Sequence, residues 1–274
     1  MRLIWILGYT LAFVIGSANA SEKITNNQFK LHGLSSFKQG EKTILKQWVT
    51  NGVNATRATL GIYPQTLELY LYPEKSNQAV PWAHTRRDEH ESVHLYVDSR
   101  FPLDKFVNDW TLYHEIAHLA IPYLGPQYRW LSEGFASYMQ YQIMDKIDVL
   151  EGKLDERYQT KISPHLRWFN SDYTAAAIAR RLMDNKQYPA AYWGSAYFFV
   201  LADRQLQTEK GISLTSLIGI YQECCRTKDK NISELFTSLD SLVDAKIFTE
   251  LLKRYENAAA KTIYPQSFED NHSY

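Results

Sequence analysis

Two histidines spaced four residues apart carry the strongest chemical signal in the sequence. His114 and His118 lie in the segment Tyr-His-Glu-Ile-Ala-His-Leu at positions 113–119, where the apolar spacing predicts a helix. Residues four apart on a helix share a face, so both imidazoles can aim a ring nitrogen at one point, as a tetrahedral zinc ion requires. Glu115 cannot share that face, but it can reach a water molecule at an open coordination position and take its proton.

A third ligand is expected, because catalytic zinc usually has three protein ligands plus water, and His-His-Glu is one of the known sets. Glu133 is an acidic residue among apolar neighbours in a second predicted helix, from about Tyr128 to Asp145. We interpret it as the third ligand of one zinc ion; a solvated helix glutamate is the alternative. Gly134 beside it predicts close packing of this helix on the first, at some cost in helix propensity.

These two motifs together resemble a known family. The His-Glu-x-x-His pentad at 114–118 and the Trp-x-x-Glu-Gly-x-Ala-x-Tyr pattern at 130–138 resemble the gluzincin zinc metallopeptidases, the superfamily of thermolysin and aminopeptidase N, and within it the peptidase MA-like domains. The resemblance covers roughly residues 92–206. It implies His114, His118 and Glu133 as ligands of a single Zn²⁺, Glu115 as general base, and a peptide or protein as substrate.

The resemblance also implies a hydrogen-bond donor for the reaction. In the aminopeptidase-like families, a tyrosine shortly before a glycine on a later helix donates to the oxyanion, and Tyr192 before Gly194 matches that position, with Tyr197 as second candidate. Since the chain has 19 tyrosines, an ordinary structural role for Tyr192 stays open. The sequence contains no Gly-x-Met-Glu-Asn segment, with which the aminopeptidases bind a free amino group, and this departure leaves room for an endopeptidase or for an inactive relative.

The surrounding patterns predict an α+β fold. Alternating apolar residues predict strands at 66–72 and 92–98, and the polar segment 74–91 between them is expected to be a loop. Helical spacing predicts one helix at 41–49 and another that begins at residue 105, contains the pentad and is ended by Pro122. We expect a small mixed β-sheet beside the zinc-binding helix, then a mainly helical C-terminal half with helices near 188–206, 214–221, 232–242 and 243–260. By the resemblance this is a thermolysin-like catalytic domain.

The N-terminal residues predict export. Arg2 precedes an apolar run from Leu3 to Ile15, and Ala-Asn-Ala at 18–20 fits a signal-peptidase site. The run is short for a membrane span, which needs about 20 residues, although a retained anchor is the alternative. We therefore expect a signal peptide at 1–20 and one domain at 21–274, β-rich at about 62–100 and helical at about 103–262. The mature protein would be periplasmic or secreted, without a stable membrane span.

Composition narrows the possible partners. The formal net charge is +0, with 30 basic and 30 acidic residues, so there is no electrostatic case for nucleic-acid binding. The 45% of hydrophobic residues is enough for a sizeable core. The two cysteines, Cys224 and Cys225, are adjacent, and because disulfide geometry disfavours bonds between neighbours, we expect no disulfide. A role as metal ligands remains a minor alternative.

Together these features predict a zinc-dependent peptidase that uses a metal-activated water and a glutamate base. Two alternatives remain open at this stage. The first is a catalytically inactive protein that keeps the zinc site and acts as a peptide-binding module. The second is a zinc hydrolase that acts on something other than peptides, which the pentad does not exclude. The oligomeric state does not follow from the sequence.

Overall fold

Alternating side chains build the central strands of a four-stranded sheet. The computed structural model describes residues 29–88 and 90–265; the predicted signal peptide and the last nine residues lie outside this range. Strands β1 Phe29–His32, β2 Leu67–Pro73, β3 Trp82–Arg87 and β4 Glu91–Val97 are arranged in the order β1-β2-β4-β3. β1 and β4 are both parallel to β2, whereas β3 is antiparallel to β4, so the sheet is mixed, as predicted.

Two of these strands were not predicted. β1 precedes the region expected to be β-rich, and β3 lies within residues 74–91, which were expected to be a loop. The loop prediction is wrong because β3 is an edge strand: its polar side chains are half-buried or exposed, so it lacks the apolar alternation of a buried strand. Its register with β4 runs from Trp82↔Tyr96 to Arg87↔Glu91.

The remaining elements are helical, so the described chain is α+β and mostly helix. None of these helices is both long and apolar enough to cross a bilayer, within the residues that the structure describes. The helices, in chain order, are α1 Gln39–Leu60, α2 Leu103–Val107, α3 Thr111–Leu119, α4 Arg129–Lys146, α5 Leu154–Ile162, α6 Leu166–Phe169, α7 Ala175–Asp184, α8 Tyr188–Lys210, α9 Leu214–Cys224, α10 Ile232–Val243 and α11 Ile247–Asn257.

The helix expected from residue 105 to the end of the pentad is in fact two helices. α2 ends at Val107, and α3 begins at Thr111. Between them, the Asp109 carboxylate accepts a hydrogen bond from the Thr111 backbone N–H at 2.8 Å. A side-chain acceptor at this place satisfies one of the free N–H groups at a helix start, which is why a new helix begins here.

α3 lies between the two hydrophobic clusters of the molecule. Leu112, Ile116 and Leu119 pack in the cluster formed by the sheet, α1 and α2. Tyr113 and Ala117 pack in the larger cluster formed by the C-terminal helices. Every residue of α3 is buried, so the fold places this short helix at the centre, where its polar side chains need partners.

α4 packs against both α3 and α8, and Gly134 lies against α8. A Cβ atom added at Gly134 would lie 2.6 Å from the backbone carbon of Ser195. The prediction that Gly134 serves close packing against α3 is therefore wrong. The glycine instead allows α8 to cross close to the turn of α4 that carries Glu133, and the start of α8 lies beside α3.

Candidate metal centre

Three side chains from α3 and α4 converge on one point. His114 Nε2 lies 3.3 Å from Glu133 Oε2, and His118 Nε2 lies 3.5 Å from the same oxygen. All three ligand atoms lie within 4.8 Å of one another. His114 and His118 are buried, and the Glu133 side chain is 14% exposed. The two imidazoles and the carboxylate are therefore arranged as a group that could hold a metal ion.

The other ring nitrogen of each histidine has its own partner on α4. His114 Nδ1 lies 2.9 Å from Gln140 Oε1, and His118 Nδ1 lies 3.1 Å from Ser132 Oγ. Because an amide oxygen only accepts hydrogen bonds, His114 donates its Nδ1–H to Gln140, and Nε2, which lies against Glu133, is the ring nitrogen available to a metal ion. Gln140 was not predicted from the sequence, although it lies seven residues after Glu133, a spacing that indicates the same helix face.

The charges at this site favour an ionised carboxylate. Burial acts to raise the pKa of Glu133, but the two neighbouring imidazoles outweigh it and hold the pKa well below its usual range. Burial likewise opposes charge on His114, whose pKa is nevertheless raised by its contact with Glu133. The site thus stabilises positive charge at the point where the three ligand atoms meet.

Glu115 lies on the side of α3 that faces the edge strand β3. Its Oε2 accepts a hydrogen bond from Thr85 Oγ1 at 2.9 Å, and the same hydroxyl lies 3.0 Å from its backbone carbonyl oxygen. Glu115 lines the same cleft as the three ligand residues. Thr85 was not identified from the sequence, because it lies in the segment expected to be a loop and no linear spacing relates it to Glu115.

The structure brings Tyr192 to the ligand cluster and leaves Tyr197 away from it. The Tyr192 ring stacks on His114, with centroids 6.1 Å apart and planes 19° apart. Burial, with a further contribution from the charge of Glu133, raises the pKa of the Tyr192 hydroxyl well above its usual range. Tyr197 is buried in the helical core against Tyr264, with ring centroids 5.0 Å apart, and does not line the cleft.

Two arginines hold the C-terminal end of α3. Arg87 donates to the carbonyl oxygens of His118 and Ile121, while Arg226 Nε donates to the Leu119 carbonyl oxygen at 2.9 Å. Both guanidinium groups also pair with Glu91, each at 2.7 Å. Positive charge is stabilising at the C-terminal end of a helix, where the carbonyl groups are free. The two arginines therefore fix the turn that carries His118. The sequence does not reveal it, since Arg226 is 107 residues from Leu119.

The two cysteines directly precede Arg226, and they are joined. Cys224 and Cys225 form a disulfide with a Cα–Cα distance of 3.7 Å, so the expectation that they stay unpaired is wrong. They lie in a tight turn at the end of α9, where the N–H groups of Cys225 and Arg226 both bond to the Tyr221 carbonyl oxygen. Disulfides between neighbouring residues are uncommon, and here the two cysteines are held together in the turn. The bond also removes both sulfurs as candidate metal ligands.

The ligand cluster opens into a wide cleft of about 1370 Å³. One wall is β3, and the floor is α3 together with the first turns of α4. The start of α8 and the loop at 123–126 complete the lining. This volume is larger than that of a typical small-molecule pocket.

Comparisons with known proteins show only distant likeness. No protein-family model and no curated protein sequence matches the chain. Among solved structures, it is similar to an M1 zinc metallopeptidase from Deinococcus radiodurans, at 15% identity, 81% coverage of this chain, 45% of the other and a TM-score of 0.47. It is also similar to a mutant of an M1 zinc metallopeptidase from the same organism, bound to a Tyr-Ser-Ala substrate. That match has 14% identity, covers 76% of this chain and 43% of the other, and has a TM-score of 0.49.

A further structure, a two-domain M1 zinc metallopeptidase mutant bound to L-arginine, matches at 15% identity over 81% of this chain and 45% of the other, with a TM-score of 0.48. The chain thus spans less than half the length of the solved structures it matches. Identities this low, with TM-scores below 0.5, carry no functional information about this chain.

Proposed function

We propose that the protein is a zinc-dependent peptidase that hydrolyses peptide bonds with Glu115 as general base. The observation that carries this proposal is the convergence of His114, His118 and Glu133 in a large cleft. A further carboxylate, Glu115, lines the same cleft on the neighbouring residue of α3. Three protein ligands with space for water and substrate are typical of a catalytic zinc site, whereas structural sites are closed by four.

The residues present fit a zinc ion. Two imidazole Nε2 atoms and one carboxylate oxygen form a His₂Glu set, and the Nδ1 contacts to Gln140 and Ser132 leave the Nε2 atoms to act as ligands. The cluster presents acceptor atoms that a cation would satisfy. Arg129 Nε is 4.0 Å from Glu133 Oε1, but its side chain is 60% exposed, so it compensates the carboxylate only weakly.

A bound zinc ion would polarise the scissile carbonyl group and lower the pKa of water. Glu115 takes the proton of the attacking water and passes it to the leaving amine, and Thr85 orients its carboxylate for both transfers. Tyr192 donates its hydroxyl proton in a hydrogen bond to the carbonyl oxygen as negative charge develops there. The raised pKa of Tyr192 suits this role, because the hydroxyl stays protonated at neutral pH.

The edge strand β3 supports an extended polypeptide as the substrate. In the described sheet, β3 pairs with β4 on one side only, and its residues 82–85 line the cleft. Open backbone groups of an edge strand can pair with an added peptide strand. This would place a peptide bond beside α3, within reach of Glu115.

A peptide-library digest read by mass spectrometry, combined with metal analysis, tests this function. We expect one zinc per chain, cleavage that stops when a chelator removes the metal, and recovery when zinc is added back. Bound zinc without cleavage of any peptide would favour the inactive peptide-binding module instead. A purified chain that binds no zinc would contradict both.

We also propose that the chain forms a single catalytic domain and acts in a periplasm or outside a cell. Export rests on the signal peptide predicted at residues 1–20. Expression of the full chain, followed by fractionation and N-terminal sequencing, should recover a protein that starts at Ser21 outside the cytoplasm. A cytoplasmic protein that retains Met1 would contradict this proposal.

A further inference from the structure

Exposed aromatic side chains are concentrated in the cleft. Eight large hydrophobic residues of the described chain are exposed, and four of them line this one cleft. They are Trp82 at 55% exposure, Trp110 at 45%, Tyr123 at 59% and Tyr188 at 36%. Exposed apolar surface is unfavourable in water, so its accumulation inside a concave site indicates a surface that a ligand covers.

Two of these rings form a continuous wall with a ligand histidine. The Trp110 ring meets His114 edge-on, with centroids 5.3 Å apart. His114 also stacks with Tyr192, which in turn contacts Tyr188, with centroids 5.9 Å apart. Trp110, at the start of α3, therefore contacts the proposed zinc ligand His114 directly. Tyr188, at the start of α8, reaches it through the ring of Tyr192.

The charged groups on this wall do not oppose an apolar ligand. Asp109 is engaged at the start of α3 through its 2.8 Å contact with Thr111. Lys105 also lines the cleft but is exposed, so its ammonium group remains in water while the ring surfaces are covered. A substrate side chain that reaches this wall would thus meet the exposed rings of Trp110 and Tyr188.

We infer that Trp110 and Tyr188 form an apolar subsite that selects polypeptides with an aromatic or large apolar side chain immediately next to the scissile bond. This inference rests on the proposed peptidase function and adds its substrate preference. Because the rings contact the side chain rather than the peptide backbone, they determine which bonds are cut.

The test uses the zinc-loaded full chain and two peptides. A library digest first locates the position next to the cut with the strongest preference, and two quenched fluorescent peptides are then made with Phe or Ala there. We expect the Phe peptide to have a kcat/KM about tenfold or more above that of the Ala peptide, as is typical of hydrophobic pockets. Trp110→Ala and Tyr188→Ala should each reduce this ratio severalfold.

Matched variants separate the subsite from general effects. Trp168 and Tyr173 are also exposed, at 41% and 70%, but do not line the cleft, so Trp168→Ala and Tyr173→Ala should leave the ratio unchanged. Trp110→Phe, which keeps an aromatic ring, should retain most of the preference for Phe over Ala. If Trp110→Ala does not fold, the ratio measured for Tyr188→Ala and Trp110→Phe tests the subsite. Zinc content is measured for each variant.

The outcomes distinguish the two proposals. A wild-type chain that cleaves no peptide would refute the peptidase function itself. Cleavage with a ratio near one, a preference for acidic or small side chains, or an equal loss in Trp168→Ala would leave the peptidase standing and overturn the subsite.

Discussion

Two buried charged clusters lie along α3, and they are completed in different ways. At the C-terminal end, Arg87 and Arg226 supply the donors, while Glu91 and the carbonyl oxygens of α3 supply the acceptors. At the ligand end, His114, His118 and Glu133 direct two imidazole nitrogens and a carboxylate oxygen at one point. The first cluster is satisfied by protein groups, whereas the second has the composition of a cation site.

The groups that surround a buried carboxylate in these two clusters indicate different roles for it. A carboxylate between two guanidinium groups is a structural clamp, in which burial lowers the pKa of Arg87 to about 9, helped by the nearby charge of Arg226. A carboxylate facing two imidazoles, each contacted at its other ring nitrogen by a polar side chain, has the arrangement of a group that could hold a metal ion. Both clusters act on the same helix, so the clamp fixes the turn that carries His118.

The largest effect is expected for Glu115→Gln, which should reduce turnover by about 10²–10⁴-fold, because the amide cannot accept the proton of water. Zinc content should stay at the wild-type level, since Glu115 lies outside the ligand cluster. Peptide hydrolysis rates and metal analysis measure the two effects. Glu151→Gln, a similar change at a side chain that is 93% exposed, is the control; equal rates for both variants would refute the general base.

Replacing the glutamate of each cluster by glutamine tests whether the two clusters have different roles. Glu133→Gln should weaken zinc binding by more than the roughly 10–100-fold that losing an outer hydrogen-bond partner costs. Glu91→Gln should instead lower the free energy of unfolding by about 3–5 kcal/mol, because two buried guanidinium groups lose their partner. Chelator competition and urea unfolding provide the measurements.

In that pair, the folded fraction of Glu91→Gln should still bind zinc. If Glu91→Gln removed zinc as fully as Glu133→Gln does while the fold stayed intact, the two clusters would not be distinct in function. If Glu133→Gln kept wild-type affinity, Glu133 would not be a ligand.

A buried imidazole outside both clusters gives a pH-dependent prediction. His94 in β4 is held by Tyr72 and Ser92, and burial, together with the charge of Arg86, lowers its pKa to about 4. Between pH 6.5 and 4 the unfolded chain therefore binds more protons at this position, so stability falls as the pH falls through that window. Thermal unfolding should show a steeper loss over this range in wild type than in His94→Gln.

The smallest effect is expected for the disulfide. Because it closes a loop of two residues, Cys224→Ser with Cys225→Ser should lower the free energy of unfolding by only about 1 kcal/mol. Zinc content should be unchanged, since Arg226 keeps its contacts with Glu91 and Leu119. Urea unfolding and metal analysis check this; a loss of several kcal/mol would mean that the turn before Arg226 depends on the bond.

Local patterns predicted the elements of the site better than its surroundings. The apolar alternation of β2 and β4 and the helical spacing around the pentad and Glu133 are short-range features, and the structure contains these elements. β3 was missed because an edge strand needs no buried face. The break before α3 was missed because it depends on one capping contact of Asp109.

The sequence by itself determined that His114 and His118 share a helix face, because four-residue spacing is a property of the helix. It also indicated Glu133, as an acidic residue among apolar neighbours on the next helix, and Tyr192, through a resemblance to a family. Only the tertiary structure decided that Thr85, Gln140 and the Arg87–Glu91–Arg226 cluster act on α3. Their contacts with α3 join residues 26 to 107 positions apart, and no local rule relates such residues, since packing of the sheet and helices alone sets their distances.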